Sequence, residues 1–416
     1  MIKKNIIYIF SYLTILVGFY LNEDVLGGSK GDYEYHLKFI ELFSSDVSLG
    51  LKKFGYEGYF ARNSPIFYII LSKLNEIFSL NHIRLINTLG SVLIAIIFYK
   101  TLKIKFNNVN KKNLKLLSCI LFLSPTIRSL SIWPYPILWA LIFFLISIYF
   151  FIRFKNSRYN ENKFFHISLI GLILSSYLHY NFACFAIFYF FKFYQKRGID
   201  FEFVKALILC FILSIPAVFF IFFRGEIHVF HGPSGFPVEF KDLINISNKI
   251  LIISSIISIY FVFYYNYKQF IKEPYQNIKN NKHYLLLLIP FFVLIFFFNY
   301  PVTENFGGGI VFKFSNKIIN NNLLFYIFTL YSLILIFTHL SQKDNFIIFC
   351  ILMLFYNIQF TIYIKYYDPL IYFLLFFLFD TKLNDTLFKN KYYLEKIYSF
   401  CFLMYCFFIF KNNFTI

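Results

Sequence analysis

The sequence is short of charge. Only 15% of its 416 residues are Asp, Glu, Lys or Arg, whereas 59% are hydrophobic and mean hydropathy is +0.62. That balance excludes a soluble globular domain of ordinary composition. Paired cysteines are also missing. The six that exist, Cys119, Cys184, Cys210, Cys350, Cys401 and Cys406, lie in apolar segments without C-x-x-C spacing, so neither a disulfide framework nor a zinc site follows. No P-loop, G-x-S-x-G or kinase signature occurs, which removes the basis for nucleotide-driven or serine-hydrolase chemistry. With no internal repeat, no low-complexity linker and no long polar stretch, the chain is expected to form a single membrane domain, 1–416.

Acidic residues are scarce as well, 21 against 40 basic ones, for a formal net charge of +19. One basic patch would point to nucleic acid. The cations instead sit in short runs between apolar segments, as topogenic charges do, and no nucleic-acid partner is expected. The 63 phenylalanines and 34 tyrosines accompany heavy use of Lys, Asn and Ile and carry no functional weight by themselves.

What is present in quantity is apolar sequence. A helix needs roughly 20 apolar residues to cross ~30 Å of hydrocarbon. Candidate spans cover roughly residues 5–21, 82–99, 114–125, 135–151, 165–178, 180–191, 203–223, 250–267, 284–299, 323–340, 346–363, 370–379 and 397–410. The first lacks a small-x-small cleavage site and reads as a retained span, with Lys3 and Lys4 holding the N-terminus in the cytoplasm. The expected fold is therefore all-α, a polytopic transmembrane helix bundle of about thirteen spans, with eleven to thirteen compatible. On this topology the cytoplasmic segments hold 25 basic and 8 acidic residues, and the rest of the chain holds 15 and 13. This asymmetry treats residues 22–81 as an extracytoplasmic loop with amphipathic helices lying at the interface.

That loop carries the most suggestive cluster, Gly31-Asp32-Tyr33-Glu34-Tyr35-His36, just beyond the first span. A carboxylate at the lip of a bundle can deprotonate an acceptor hydroxyl while a phosphate leaves from the opposite face. Asp32 is the first candidate base and Glu34 the second; the plain alternative for Asp32 is a solvated loop residue. His36 shares a helical face with Asp32 at i, i+4, either tuning it or sitting as a polar residue on an interfacial helix. By ligand type these three are compatible with a divalent cation, but their spacing does not specify one, and no metal ligands are assigned. Arg62, Arg128 and Lys365, the last within Lys365-Tyr366-Tyr367-Asp368-Pro369, are cations at outer ends of apolar segments. They are candidates, with Tyr366, for holding a phosphate headgroup; snorkelling to lipid phosphates is the alternative. The loop residues His228 and His231 read as a substrate lid, too few for a metal site. Gly307-Gly308-Gly309 offers backbone amides to an anion or simply makes a flexible loop.

This pattern resembles the GT-C superfamily of membrane glycosyltransferases, which includes protein O-mannosyltransferases and lipid A aminoarabinose transferases. The likeness lies in the acidic first outer loop, in Arg62-Asn63-Ser64-Pro65-Ile66-Phe67-Tyr68, in Arg84-Leu85 at the start of the next span, and in Ser124-Pro125 at the end of a later one. Two departures stand out: the family's Asp-Glu dipeptide is here Asp32-Tyr33-Glu34, and its Pro-Pro is Ser64-Pro65. A soluble C-terminal domain found in many members is not expected. The resemblance implies an inverting enzyme of a bacterial inner membrane that takes a sugar from a polyprenyl-phosphate-linked donor to a glycan, lipid or protein acceptor on the extracytoplasmic face. It implies Asp32 as the base. The rival readings are an O-antigen or exopolysaccharide polymerase and, outside the enzymes, a lipid-linked oligosaccharide flippase or other transporter.

Overall fold

The computed structural model describes residues 2–24, 29–54, 64–223, 245–261, 288–302, 307–340, 342–357, 361–381, 383–389 and 391–414, with a few isolated positions between them. Among these residues the structure is helical, and the only β-type pairing is a single bridge between Gly307 and Ile362. The chain packs as two compact units, Met1–Val229 with Lys391–Ile416, and Phe230–Asn390.

In the first unit, helix α1 (Ile2–Tyr20) turns Ile6, Ile9, Phe10, Leu13 and Val17 outward and buries Ser11, Thr14 and Ile15. Apolar outside and small or polar inside is the arrangement a helix adopts when lipid is its solvent. Next come α2 (Ser29–Ser45), α3 (Val47–Lys53) and α4 (Ile66–Asn75). Asp46 caps α3 by accepting from the amides of Ser48 and Leu49. Helix α4 has ten residues, about 15 Å of rise, and is too short to cross a bilayer alone. It buries Phe67, Tyr68, Leu71 and Ser72 and leaves an exposed Lys73–Glu76 pair at its end.

Helices α5 (Leu80–Gly90) and α6 (Val92–Lys105) join into one 26-residue apolar rod. Helix α7 (Lys111–Ile120), prolonged by a tight turn at Leu121–Leu123, meets α8 (Pro125–Ile132) at a 61° bend. Ser124 makes the bend: its hydroxyl caps α8, and Pro125 occupies the first helical position, where no amide partner is needed. Helices α9 (Pro136–Asn156) and α10 (Asn162–Leu178) pack through small residues. Gly171 lies on the Ser147 backbone, Ser147 donates to the Ser168 carbonyl (2.7 Å), and Ser175 donates to the Ala140 carbonyl (2.7 Å). In a lipid environment such close approach replaces the hydrophobic drive. Helices α11 (Phe185–Arg197) and α12 (Phe201–Phe223) follow, the latter presenting Leu207, Ile208, Phe211, Ile212 and Phe219 outward.

The second unit contains α13 (Ile246–Phe261), α14 (Leu288–Phe296), α15 (Gly309–Ile319), α16 (Leu323–Leu340), α17 (Lys343–Cys350), α18 (Ile364–Tyr367), α19 (Leu370–Phe373) and α20 (Leu383–Lys389). Helices α13 and α16 share a buried hydrogen bond between Ser258 and Ser332 (2.7 Å). Helix α21 (Lys391–Phe414) returns to the first unit, where Tyr398 bonds Ser11 (2.6 Å) and Glu395 pairs with Lys112 (2.8 Å).

Four helices among the described residues are long and apolar enough to cross a membrane: Leu80–Lys105, Pro136–Asn156, Phe201–Phe220 and Leu323–Leu340. The bent pair α7 and α8 makes a fifth if counted as one span. Helical bundle and membrane association follow from this. Several other apolar stretches are interrupted, as where α10 ends at His179 before a short tight-turn helix leads into α11. Helix α17 similarly passes into a wider π turn at Ile351–Phe355, and α19 into one at Leu374–Leu378.

Candidate functional site

The end of α1 is tied to α8 by an ion pair inside the protein. Glu23 receives Arg128 Nε on Oε1 (2.8 Å) and Arg128 Nη2 on Oε2 (2.5 Å). The remaining guanidinium hydrogens go to Thr14 Oγ1 (2.7 Å), the Thr14 carbonyl (2.8 Å) and the Phe122 carbonyl (3.2 Å). All five donors of Arg128 are thereby used. The residue is 1% exposed, and the Tyr405 ring lies 4.0 Å from its guanidinium carbon. The pair fits because α1 has glycine at position 18: a Cβ there would stand 2.2 Å from Glu23 Oε2. Trp133 closes the site by donating its indole N–H to the Glu23 carbonyl (2.9 Å).

Arg84 extends this layer. It donates to Asn22 Oδ1 (2.9 Å) and stacks over Trp133 at 3.9 Å, while Tyr33 packs against the same indole. Burial pushes the Tyr33 phenol upward, with the Arg84 charge opposing.

Helix α2 lies over this platform. Asp24 accepts from the Ser29 amide at its start (3.1 Å). Its buried face is Ser29, Tyr33, His36, Phe39, Ile40, Leu42 and Phe43. His36 Nδ1 is 2.6 Å from the Tyr68 hydroxyl; the rings stack at 5.1 Å, and Tyr135 meets His36 edge-on at 5.0 Å. Asp32 is half-buried at the edge of that face and Glu34 is exposed. Lys38 reaches over the Tyr35 ring at 3.6 Å, so the outer side of α2 is covered by its own cation.

The structure thus gathers Asp32, Glu34 and His36 on one helix but gives them three different environments. Arg128 requires a correction. The sequence makes it a candidate phosphate contact at an outer helix end, with snorkelling to lipid phosphates as the alternative; in the structure it points inward and spends every donor on Glu23, Thr14 and Phe122. Arg62, His228 and His231 lie outside the described residues. Lys365 and Tyr366 belong to the second unit, where Lys365 is half-buried beside Tyr363, and Tyr366 is buried with its carbonyl accepting from the Tyr356 hydroxyl (2.8 Å). In the same segment Asp368 accepts from the Tyr260 hydroxyl. Among the described residues no three His, Cys, Asp or Glu side chains come together as a metal ion would need.

Sequence reasoning assigned no role to Glu23, Tyr68 or Thr14. A signal existed for Glu23: an arginine embedded near a span calls for a counter-charge, and Glu23 is the first carboxylate beyond α1. Compared with known proteins, the chain matches no family model, no curated protein and no solved structure.

Proposed function

We propose that this protein is an inverting membrane glycosyltransferase. It moves a sugar from a polyprenyl-phosphate-linked donor to a glycan, lipid or protein acceptor on the extracytoplasmic face of a bacterial inner membrane. In this reading the bundle has about thirteen spans, the N-terminus is cytoplasmic, and several spans are interrupted. The observation that carries it is the setting of Asp32. A half-exposed carboxylate stands near the start of α2, just past the first apolar helix, on a scaffold that the Glu23–Arg128 pair and the Arg84–Trp133 stack make rigid.

Asp32 takes the proton of the acceptor hydroxyl as the acceptor oxygen bonds to the anomeric carbon. The bond from that carbon to the phosphate oxygen breaks, and its electron pair leaves with the phosphate. His36, held by Tyr68 and Tyr135, packs α2 so that Asp32 stays at the edge of the buried face. Lipid reaches the site laterally from the bilayer. A divalent cation is compatible with this chemistry and is not needed for the proton transfer.

The test is Asp32→Asn in membranes supplied with polyprenyl-phosphate hexoses and pentoses. Normal membrane levels with transfer reduced about 10²- to 10⁴-fold are expected, the usual share of a general base. Full transfer at normal levels would remove Asp32 as the base. Sugar-lipid translocation by purified protein in liposomes, without transfer, would replace the enzyme by a transporter.

A further inference from the structure

Three consecutive glycines in the second unit, Gly307, Gly308 and Gly309, have φ of 85°, 92° and 81° and lead straight into α15. A Cβ at 307 would meet the Ile362 carbonyl oxygen at 2.4 Å, and one at 308 would meet the Phe312 ring at 2.7 Å. Conformation and packing both demand glycine here. Gly308 donates its amide to the Ile362 carbonyl (3.0 Å), while α15 begins without a side-chain cap. The first-turn amides of such a helix point out of its end and favour an anion.

A separate observation concerns Lys249. This side chain is 4% exposed and makes no hydrogen bond or ion pair among the described residues. It stands before the apolar stretch of α13, and burial alone lowers its ammonium to about 8. Lys249, Ile252 and Ile256 follow at i, i+3 and i+7 and so share one helical face. Ile252 and Ile256 are the side chains nearest a Cβ at Gly309, at 3.5 and 3.4 Å, so that face packs on the start of α15. Beside Lys249, Asn248 donates to Asn299 Oδ1 (2.9 Å) and accepts from the Asn299 amide (3.1 Å). The adjacent Tyr300 ring lies 3.1 Å from a Cβ at Gly308, and its hydroxyl accepts from the Ile362 amide (2.9 Å). Lys249 is therefore bracketed along α13 by the glycine turn and by the Asn299-Tyr300 segment.

We propose that Lys249 and the uncapped start of α15, shaped by Gly307–Gly309, form an oxyanion site that takes a phosphate group. A desolvated ammonium without a counter-charge is unfavourable, and the site supplies nothing negative of its own among the described residues. Phosphate presents several oxygens, enough to accept from an ammonium and from more than one helix-start amide at once. A phospholipid headgroup and a free phosphate share this chemistry. The proposal does not depend on the role of Asp32.

The test is trace acetylation of the full-length protein, with modification at Lys249 read by peptide mass spectrometry. In detergent micelles, inorganic phosphate should slow Lys249 labelling about tenfold against chloride at equal ionic strength, because raising an ammonium pKa by one unit removes about nine-tenths of the free amine. If protection appears only in vesicles containing phosphatidylglycerol, and not in phosphatidylcholine vesicles, the site is supported and its source is lipid. Ile310→Pro, which deletes one amide of the first turn of α15, should weaken protection; full protection in that variant would overturn the part given to α15. Equal labelling of Lys249 in phosphate, in chloride and in both kinds of vesicle would overturn the proposal.

Discussion

Arg128 in the first unit and Lys249 in the second are both buried cations at helix ends, and they are satisfied in opposite ways. Arg128 is a planar fork surrounded by five acceptors, two of them the oxygens of one carboxylate. Lys249 is a point charge with no such partner among the described residues. The first arrangement is complete, and its consequence is structural: it fastens the end of α1 to α8 and fixes where α2 can start. The second is complete only with something brought from outside. Burial alone does not mark a charged residue as functional; what decides is whether its donors are already spent.

The sharpest way to break the comparison is Glu23→Gln. It leaves a buried guanidinium facing a neutral amide, and removing one partner of a buried pair costs about 3–5 kcal/mol. Thermal unfolding in detergent should show a much lowered midpoint, or the variant should fail to accumulate in membranes. Stability within ~0.5 kcal/mol of the unaltered protein, a typical surface-substitution effect, would mean the pair is not the fastening described. Gly18→Ala should come next, at about 1–3 kcal/mol, because its methyl group overlaps Glu23 Oε2 and forces the pair apart. The two changes act on one contact, so the double variant should lose less than the sum.

How far this was legible beforehand differs between the same two places. The apolar segments follow from composition, and the helical character of α2 follows from the i, i+4 spacing of Asp32 and His36. That spacing puts Asp32 and His36 on one helical face without saying how deeply either sits; in the structure His36 lies on the buried face with Ser29 and Tyr33, and Asp32 is half-buried at its edge. Ser124-Pro125 is legible as a break, since a hydroxyl followed by proline is a helix-start signal; the 61° bend is a product of packing. The Glu23–Arg128 pairing joins residues 105 positions apart, and no local pattern encodes it. The glycine triplet announces an unusual backbone, yet Lys249 reads as one more loop cation until α13 and α15 are seen to pack together. Periodicity reports which face is buried; which donors remain unspent is tertiary information.

The smallest effect on stability should come from Lys249→Met, which keeps the length of the side chain and removes the unpartnered charge. In chloride the unfolding midpoint should stay level or rise, by no more than about 1 kcal/mol, as when buried charges are replaced by apolar groups. In phosphate at ten times its dissociation constant the unaltered protein should gain roughly 1.4 kcal/mol by binding, and the Met variant should gain almost nothing. The sign separates the two kinds of buried cation: losing Arg128's partner destabilises under every condition, whereas losing the Lys249 charge matters only when an anion is there to be bound. If Lys249→Met instead destabilises the protein in chloride as strongly as Glu23→Gln does, Lys249 is a structural fastening like Arg128, and the contrast between the two units fails.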